Sequence, residues 1–247
     1  MEKQINITKP ESETAKGCRF DALVMPPSRI LDLFCKAGGA SMGLHYAFPN
    51  AEIVGVDIEK QPNYPFRFEQ SDAMEYNING YDFIWASPPC QQHSRLNAIN
   101  KNSYKDYIAP IRERLQKQGV PFCIENVPGA PLINPIVLCG TMFGLQVIRH
   151  RLFECYPRIK LELRCNHYGT PGTHRFPYKP INNFVQVTGN NFSETEARQA
   201  MGINWMNKKE WAQAIPPAYS YWLGSQIAKQ IYSVRRHNRL AITRNER

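Results

Sequence analysis

This chain of 247 residues predicts an α/β fold with a mainly parallel central sheet, and three observations carry that reading. Short apolar runs alternate with helical patterns from Arg29 to Val127, which is the signature of βαβ units. Two of the runs lead into an acid, Asp57 and Asp72, and a third into Pro88-Pro89-Cys90-Gln91. A glycine turn, Gly38-Gly39, separates the first run from the first helix.

Taken in order, residues 1–27 are polar, end in Pro26-Pro27 and read as an N-terminal arm. Arg29–Phe34 is the first strand, Lys36–Ser41 the turn, and Met42, Leu44, His45 and Phe48 begin a helix. Ala51–Asp57 and Phe66–Ala73 are the second and third strands, and Tyr81–Ala86 the fourth. Two prolines cannot continue a ladder, so the chain leaves the fourth strand at Pro88 in an extended turn. Ser103–Gln118 predicts an amphipathic helix with Ile108, Ile111 and Leu115 on one stripe, closed by Gly119 as its cap. Pro121–Val127 is the fifth strand. Residues 28–156 thus form one catalytic-type domain. Residues 157–192 carry turn residues, histidines and basic groups without a helical period, and predict a small separate lobe. The chain then returns to the main domain over 193–234. Ser193-Glu194-Thr195-Glu196 resembles a capping box ahead of a helix to Met201. A last helix, with Trp222, Leu223, Ile227 and Ile231, follows Pro216-Pro217. Residues 235–247 are a basic tail.

The formal charge of +9 and a pI near 9.2 favour an anionic partner, nucleic acid first among them. Seven cysteines, at 18, 35, 90, 123, 139, 155 and 165, include no CxxC pair and do not form a disulfide framework, so a reducing compartment is expected. No stretch is apolar over a bilayer's width and the first residues lack a signal-peptide core, which points to a cytoplasmic protein. Cys165, His167 and His174, with Cys155 as a fourth, invite a zinc reading, but their spacing matches no standard finger. They are read as ordinary loop residues, and no metal is expected.

Chemistry concentrates at strand ends, where open α/β sheets place their ligands. Cys90, held by two prolines, is a candidate nucleophile or a buried structural thiol. Gly38-Gly39 lets the backbone approach a ligand at a helix N-terminus, or is a plain tight turn. Asp57, 25 residues after Asp32, fits a group that accepts ribose hydroxyls. Glu125, in Glu125-Asn126-Val127, is a partly buried proton donor or a salt-bridged structural acid. Arg149 and Arg151 alternate along an extended segment and so share a face. They form a donor fork for a carbonyl or phosphate, or a basic surface patch.

All these segments together, in this order, resemble the DNA (cytosine-5) methyltransferase family over roughly residues 29–154 and 193–231. Asp32-Leu33-Phe34 with Gly38-Gly39 looks like that family's first cofactor motif, Asp57 its ribose-binding acid and Asp72 its adenine-side acid. Ser87-Pro88-Pro89-Cys90-Gln91 looks like the nucleophile motif. Glu125-Asn126-Val127 is similar to the ENV motif, and Arg149 and Arg151 to the arginines of QxRxR.

The resemblance implies a Rossmann-like methyltransferase with a small recognition lobe. It implies S-adenosylmethionine as cofactor, DNA as partner, and methylation of cytosine C5 through a Cys90–C6 adduct on a flipped base. Cys90, Glu125, Arg149 and Arg151 would be catalytic. Phe34, Gly38, Gly39, Asp57 and Ile58 would contact the cofactor, as would Asp72, Ala73, Pro88, Gln213 and Ile215. Gln92, His93, Ser94 and Arg95, in the loop after Cys90, and Arg198 would touch DNA.

The chain departs from the pattern at Val147, where the family has Gln, and at Ala212-Gln213-Ala214-Ile215, where it has GNxV. Lys36 replaces a family glycine; it demands negative φ or local strain, and its cation would suit a cofactor with an extra carboxylate. The short 157–192 region predicts a short or relaxed recognition sequence. RNA, including transfer RNA, is the rival substrate, and a catalytically silent nucleic-acid-binding protein the rival of another class. A small monomeric enzyme of this kind suits a bacterial or phage-infected cell.

Overall fold

The computed structural model describes residues 27–90, 105–167, 184–189 and 192–230. The expectations for the arm before residue 27, for Gln92, His93, Ser94 and Arg95, for His174 and for the basic tail lie outside these residues.

The described residues hold one seven-stranded sheet. Its strands are β1 (Arg29–Leu33), β2 (Glu52–Asp57), β3 (Arg67–Gln70), β4 (Phe83–Ala86), β5 (Phe122–Asn126), β6 (Ile136–Leu138) and β7 (Arg151–Tyr156). Their spatial order is β3-β2-β1-β4-β5-β7-β6. The first five strands pair in parallel, whereas β7 runs antiparallel to both β5 and β6. The sheet is therefore mainly parallel, as the alternation of runs predicts.

Both faces of the central strands are apolar. Ile30, Ile53, Phe83, Trp85 and Cys123 face one layer, which contains Leu44 and Phe48 of α1 (Gly39–Ala47) and Tyr219, Leu223 and Ile227 of α5 (residues 217–230). Their chain neighbours Leu31, Val54, Ile84, Ala86 and Ile124 face the other layer, with Ile111 and Leu115 of α2 (Ile108–Gln118). Period-2 alternation with apolar residues on both faces is what a sheet covered on both sides requires. A third cluster joins Val185, Val187 and Phe192 to Ala197, Ala200 and Met201 of α3 (Glu194–Met201) and to Trp211 of α4 (Lys208–Gln213).

Two local readings are corrected, and the alternative left open at Lys36 is resolved. The amphipathic helix starts at Ile108 rather than Ser103. Pro110, third in the helix, is tolerated only in a first turn, so helical backbone cannot extend far upstream of it. Ser193 caps α3 by position but makes no side-chain cap bond; the capping box forms instead between Asn207 and Glu210, ahead of α4. Lys36 adopts φ +46, taking the strained alternative, and Phe34 beside it has φ +60. Gly119 does close α2 in the left-handed region, at φ +72, with its N–H on Leu115 O.

Candidate active site

A cavity of about 500 Å³ opens along the carboxyl ends of the parallel strands. Twelve of the residues to which the sequence assigns a catalytic or cofactor-binding role line it. Phe34, Gly39, Asp57, Ile58, Asp72 and Ala73 come from the β1 to β3 side; Pro88, Cys90, Glu125, Arg151, Gln213 and Ile215 come from the β4, β5 and β7 side and the α4 end. Gly38, Arg149 and Arg198 do not.

On the first side, β1 ends in a turn braced by β2. Lys36 N–H donates to Asp57 Oδ2 at 3.1 Å and Glu59 N–H to Oδ1 at 3.0 Å. Lys36 Nζ pairs with Glu59 at 2.8 Å and lies 3.7 Å from Asp57. These bonds hold the left-handed Lys36 in place. The cation also keeps the Glu59 carboxyl below its usual range. Gly38 has φ +79, and a Cβ there would meet Pro65 Cδ at 2.8 Å and the Tyr64 ring at 2.9 Å; a Cβ on Gly39 would fall on the Ile215 carbonyl. The space beside each glycine is thus filled by neighbouring protein, and Gly39 still lines the cavity.

Asp32 is the residue here that the sequence reading named only as part of a motif. It is buried, and its Oδ2 accepts from Ser41 Oγ at 2.5 Å while Ser41 meets Tyr64 Oη at 2.7 Å. Its Oδ1 has no partner among the described residues. Burial, with Asp57 and Glu125 adding to it, pushes the Asp32 carboxyl up to about 7. Tyr107, at the N-cap of α2, also lines the cavity, its ring 6.1 Å from Phe34; nothing in the local sequence signals that role.

On the other side, Asn126 Nδ2 donates to the Pro88 carbonyl at 3.0 Å and pins the proline turn to β5. Cys90 is half-buried on that turn. Burial raises its thiol pKa, Glu125 adds to the rise and Arg151 opposes it. Glu125 is raised by burial against the pull of Arg151, whose Nε lies 3.2 Å from Oε1. Thiol, acid and guanidinium thus act on one another inside one cavity.

Arg149 points elsewhere. It is buried, donating to Val187 O at 2.6 Å and Ala212 O at 2.7 Å, and its own carbonyl accepts from Tyr219 Oη at 2.6 Å. Arg149 does not line the cavity, yet its charge still reaches Cys90 and Glu125 and lowers the pKa of both. Arg198 is exposed on α3, with its guanidinium 5.9 Å from the Trp211 ring centre.

No protein-family model matches the chain, and no curated protein matches it significantly by sequence. Solved structures do match. A methyltransferase of Entamoeba histolytica, EhMeth, superposes with a TM-score of 0.56 at 11% identity, over 85% of this chain and 99% of that one. An RNA methyltransferase from Salinibacter ruber, in complex with S-adenosyl-L-homocysteine, gives 0.32 at 15% identity, over 55% and 84%. The likeness to the Entamoeba protein gives the fold as that of the Rossmann-like methyltransferases.

Proposed function

We propose that the protein is an S-adenosylmethionine-dependent methyltransferase that modifies C5 of cytosine in DNA through a covalent Cys90 adduct. The observation that carries this reading is the convergence of Cys90, Glu125 and Arg151 on one cavity whose other end is lined by Asp32, Asp57 and Asp72. The excess of 30 basic over 21 acidic residues suits a polyanionic substrate.

The acidic end fits the cofactor. The unpartnered Asp32 Oδ1 calls for a donor from the cavity. Asp57 keeps free lone pairs for ribose hydroxyls after accepting two backbone N–H groups. Ile58, apolar yet 66% exposed at the rim, offers a face for a purine ring, and Asp72 an acceptor for its amino group. Bound there, S-adenosylmethionine would supply an electrophilic methyl group on a sulfonium.

The other end handles the pyrimidine. Cys90 loses its proton to water at the cavity mouth, and the thiolate forms a bond to C6. Glu125, whose carboxyl pKa burial raises, gives a proton to N3 from its protonated form, and the ring electrons move to C5, which becomes nucleophilic. Arg151 holds the O2 carbonyl and stabilises the developing charge. After methylation, water removes the C5 proton, the C5–C6 double bond re-forms, the Cys90 thiolate leaves and N3 returns its proton to Glu125. Arg149 positions this edge by tying Val187 and Ala212 to the start of β7.

The test is incubation with the labelled cofactor and either 5-fluorocytosine DNA or the matching RNA, resolved under denaturing conditions. A covalent adduct on DNA that disappears in Cys90→Ser is expected. Adduct on RNA alone moves the substrate to RNA, and no adduct on either polymer overturns the reading.

A further inference from the structure

Away from the cavity, the Sγ atoms of Cys139 and Cys165 and ring nitrogens of His150 and His167 all lie within 4.8 Å of one another. We propose that these four residues hold one zinc ion in a tetrahedral S2N2 site that fastens the start of the 157–192 segment to the sheet edge beside Arg151.

The distances support an ion of this size. Cys139 Sγ lies 3.5 Å from His167 Nε2, and Cys165 Sγ 3.4 Å from His150 Nε2. Zinc with Zn–S near 2.3 Å and Zn–N of 2.0–2.1 Å sets the sulfur–nitrogen edge of a tetrahedron at about 3.5 Å. The set contains no carboxylate, which argues against calcium or magnesium, and two thiolates with two imidazoles suit zinc in charge and softness.

The ligands come from three places that the fold brings together. Cys139 follows β6 and caps the short 3-10 turn Gly140–Phe143 in extended conformation. His150 directly precedes β7. Cys165 and His167 have one residue between them, so in extended chain they project to the same side. An outer shell is present as well. Thr141 Oγ1 donates to Cys139 Sγ at 3.5 Å and accepts from Asn166 N–H at 3.2 Å, and Phe184 stands edge-on to the His167 ring at 6.4 Å. Such partners fix ligand orientation in metal sites.

This set differs from the one the sequence suggested. Cys155 instead faces its cross-strand partner Cys123, sulfur to sulfur at 3.3 Å. Cys139 and His150 lie too far from Cys165 in sequence to be read as one motif. The site stands independently of the cytosine reading.

The test uses the full chain expressed with ample zinc, with metal measured by plasma mass spectrometry after dialysis, then exchanged for cobalt. About one zinc per chain is expected, since a preformed site of this kind binds tightly near neutral pH. Cobalt should give the intense visible bands of tetrahedral coordination with thiolate charge transfer in the near ultraviolet. Cys155→Ser should keep the ion, while Cys165→Ser and His167→Asn should weaken zinc binding on the order of 100-fold or more. Wild-type protein free of zinc, an octahedral cobalt spectrum, or full zinc retention in a Cys139→Ser/Cys165→Ser double variant would each overturn the proposal. The wild-type cobalt spectrum decides the question even where a variant fails to fold.

Discussion

Arg151 Nε stands 3.2 Å from Glu125 Oε1, and the two side chains reach that contact from antiparallel neighbours, β7 and β5. The pair is poised rather than locked. Glu125 is buried enough that its carboxyl rises despite the guanidinium beside it. The same guanidinium pulls the Cys90 thiol down while Glu125 pushes it up.

Arg151→Ala removes a positive charge that lowers both groups, so both limbs of the pH–rate profile should move to higher pH. The two limbs report the Cys90 thiol and the Glu125 carboxyl titrating as an interacting pair. The maximal rate should fall on the order of 10²–10³-fold, with cofactor affinity unchanged by calorimetry. An unshifted profile would remove Arg151 from the reacting centre.

Asp32 links the cofactor end to pH. Its carboxyl rises in the folded chain from an ordinary 3.8 to about 7. The folded state then holds the proton more tightly than the unfolded state. This contribution is fully present below about 4 and is lost as pH rises through about 7. Urea titrations across that window should show stability falling with pH, and Asp32→Asn should flatten the slope. Each tenfold gain in proton affinity on folding corresponds to about 1.4 kcal/mol. Cofactor binding should release protons near pH 6–7, seen as a buffer-dependent binding enthalpy that vanishes in Asp32→Asn.

Arg112 and Glu154 form a mostly buried two-pronged pair, with both N···O distances 2.7 Å, and Glu154 also accepts from Ile133 N–H at 2.7 Å. Arg112→Ala leaves that carboxylate buried without its cation. The loss should be about 3–5 kcal/mol in denaturant unfolding. A change below about 1 kcal/mol, on the same scale, would mean that water compensates.

Gly39→Ala places a methyl group on the Ile215 carbonyl, whereas at Gly119 a Cβ meets nothing within 4 Å. The first should cost about 1–3 kcal/mol by overpacking and weaken cofactor binding. The second should cost about 1–2 kcal/mol from left-handed backbone alone and leave binding intact. Equal binding defects would contradict this assignment.

The parallel half of the sheet was readable because each strand is a short apolar run closed by Gly, Pro or an acid, and period-2 alternation follows from burial on both faces. Cys90, Glu125 and Asp57 were readable for the same reason: they end strands. Asp32 escaped as a site group because its importance comes from an unpaired oxygen, which depends on Ser41 and Tyr64 folding around it. β6 was missed and β7 read only as an extended segment, because a three-residue strand and an antiparallel return carry no distinctive local pattern. Arg149 and Arg151 were placed on one face by alternation, yet Arg149 precedes the strand and turns inward to two carbonyls.

The inverted direction of β7 has one more outcome. Parallel strands deliver their last residues to the cavity, whereas a reversed strand delivers its first, and Arg151 is that first residue. Its orientation is set by the ladder rather than by a flexible connection. A one-residue deletion inside β7 would rotate Arg151 to the opposite face.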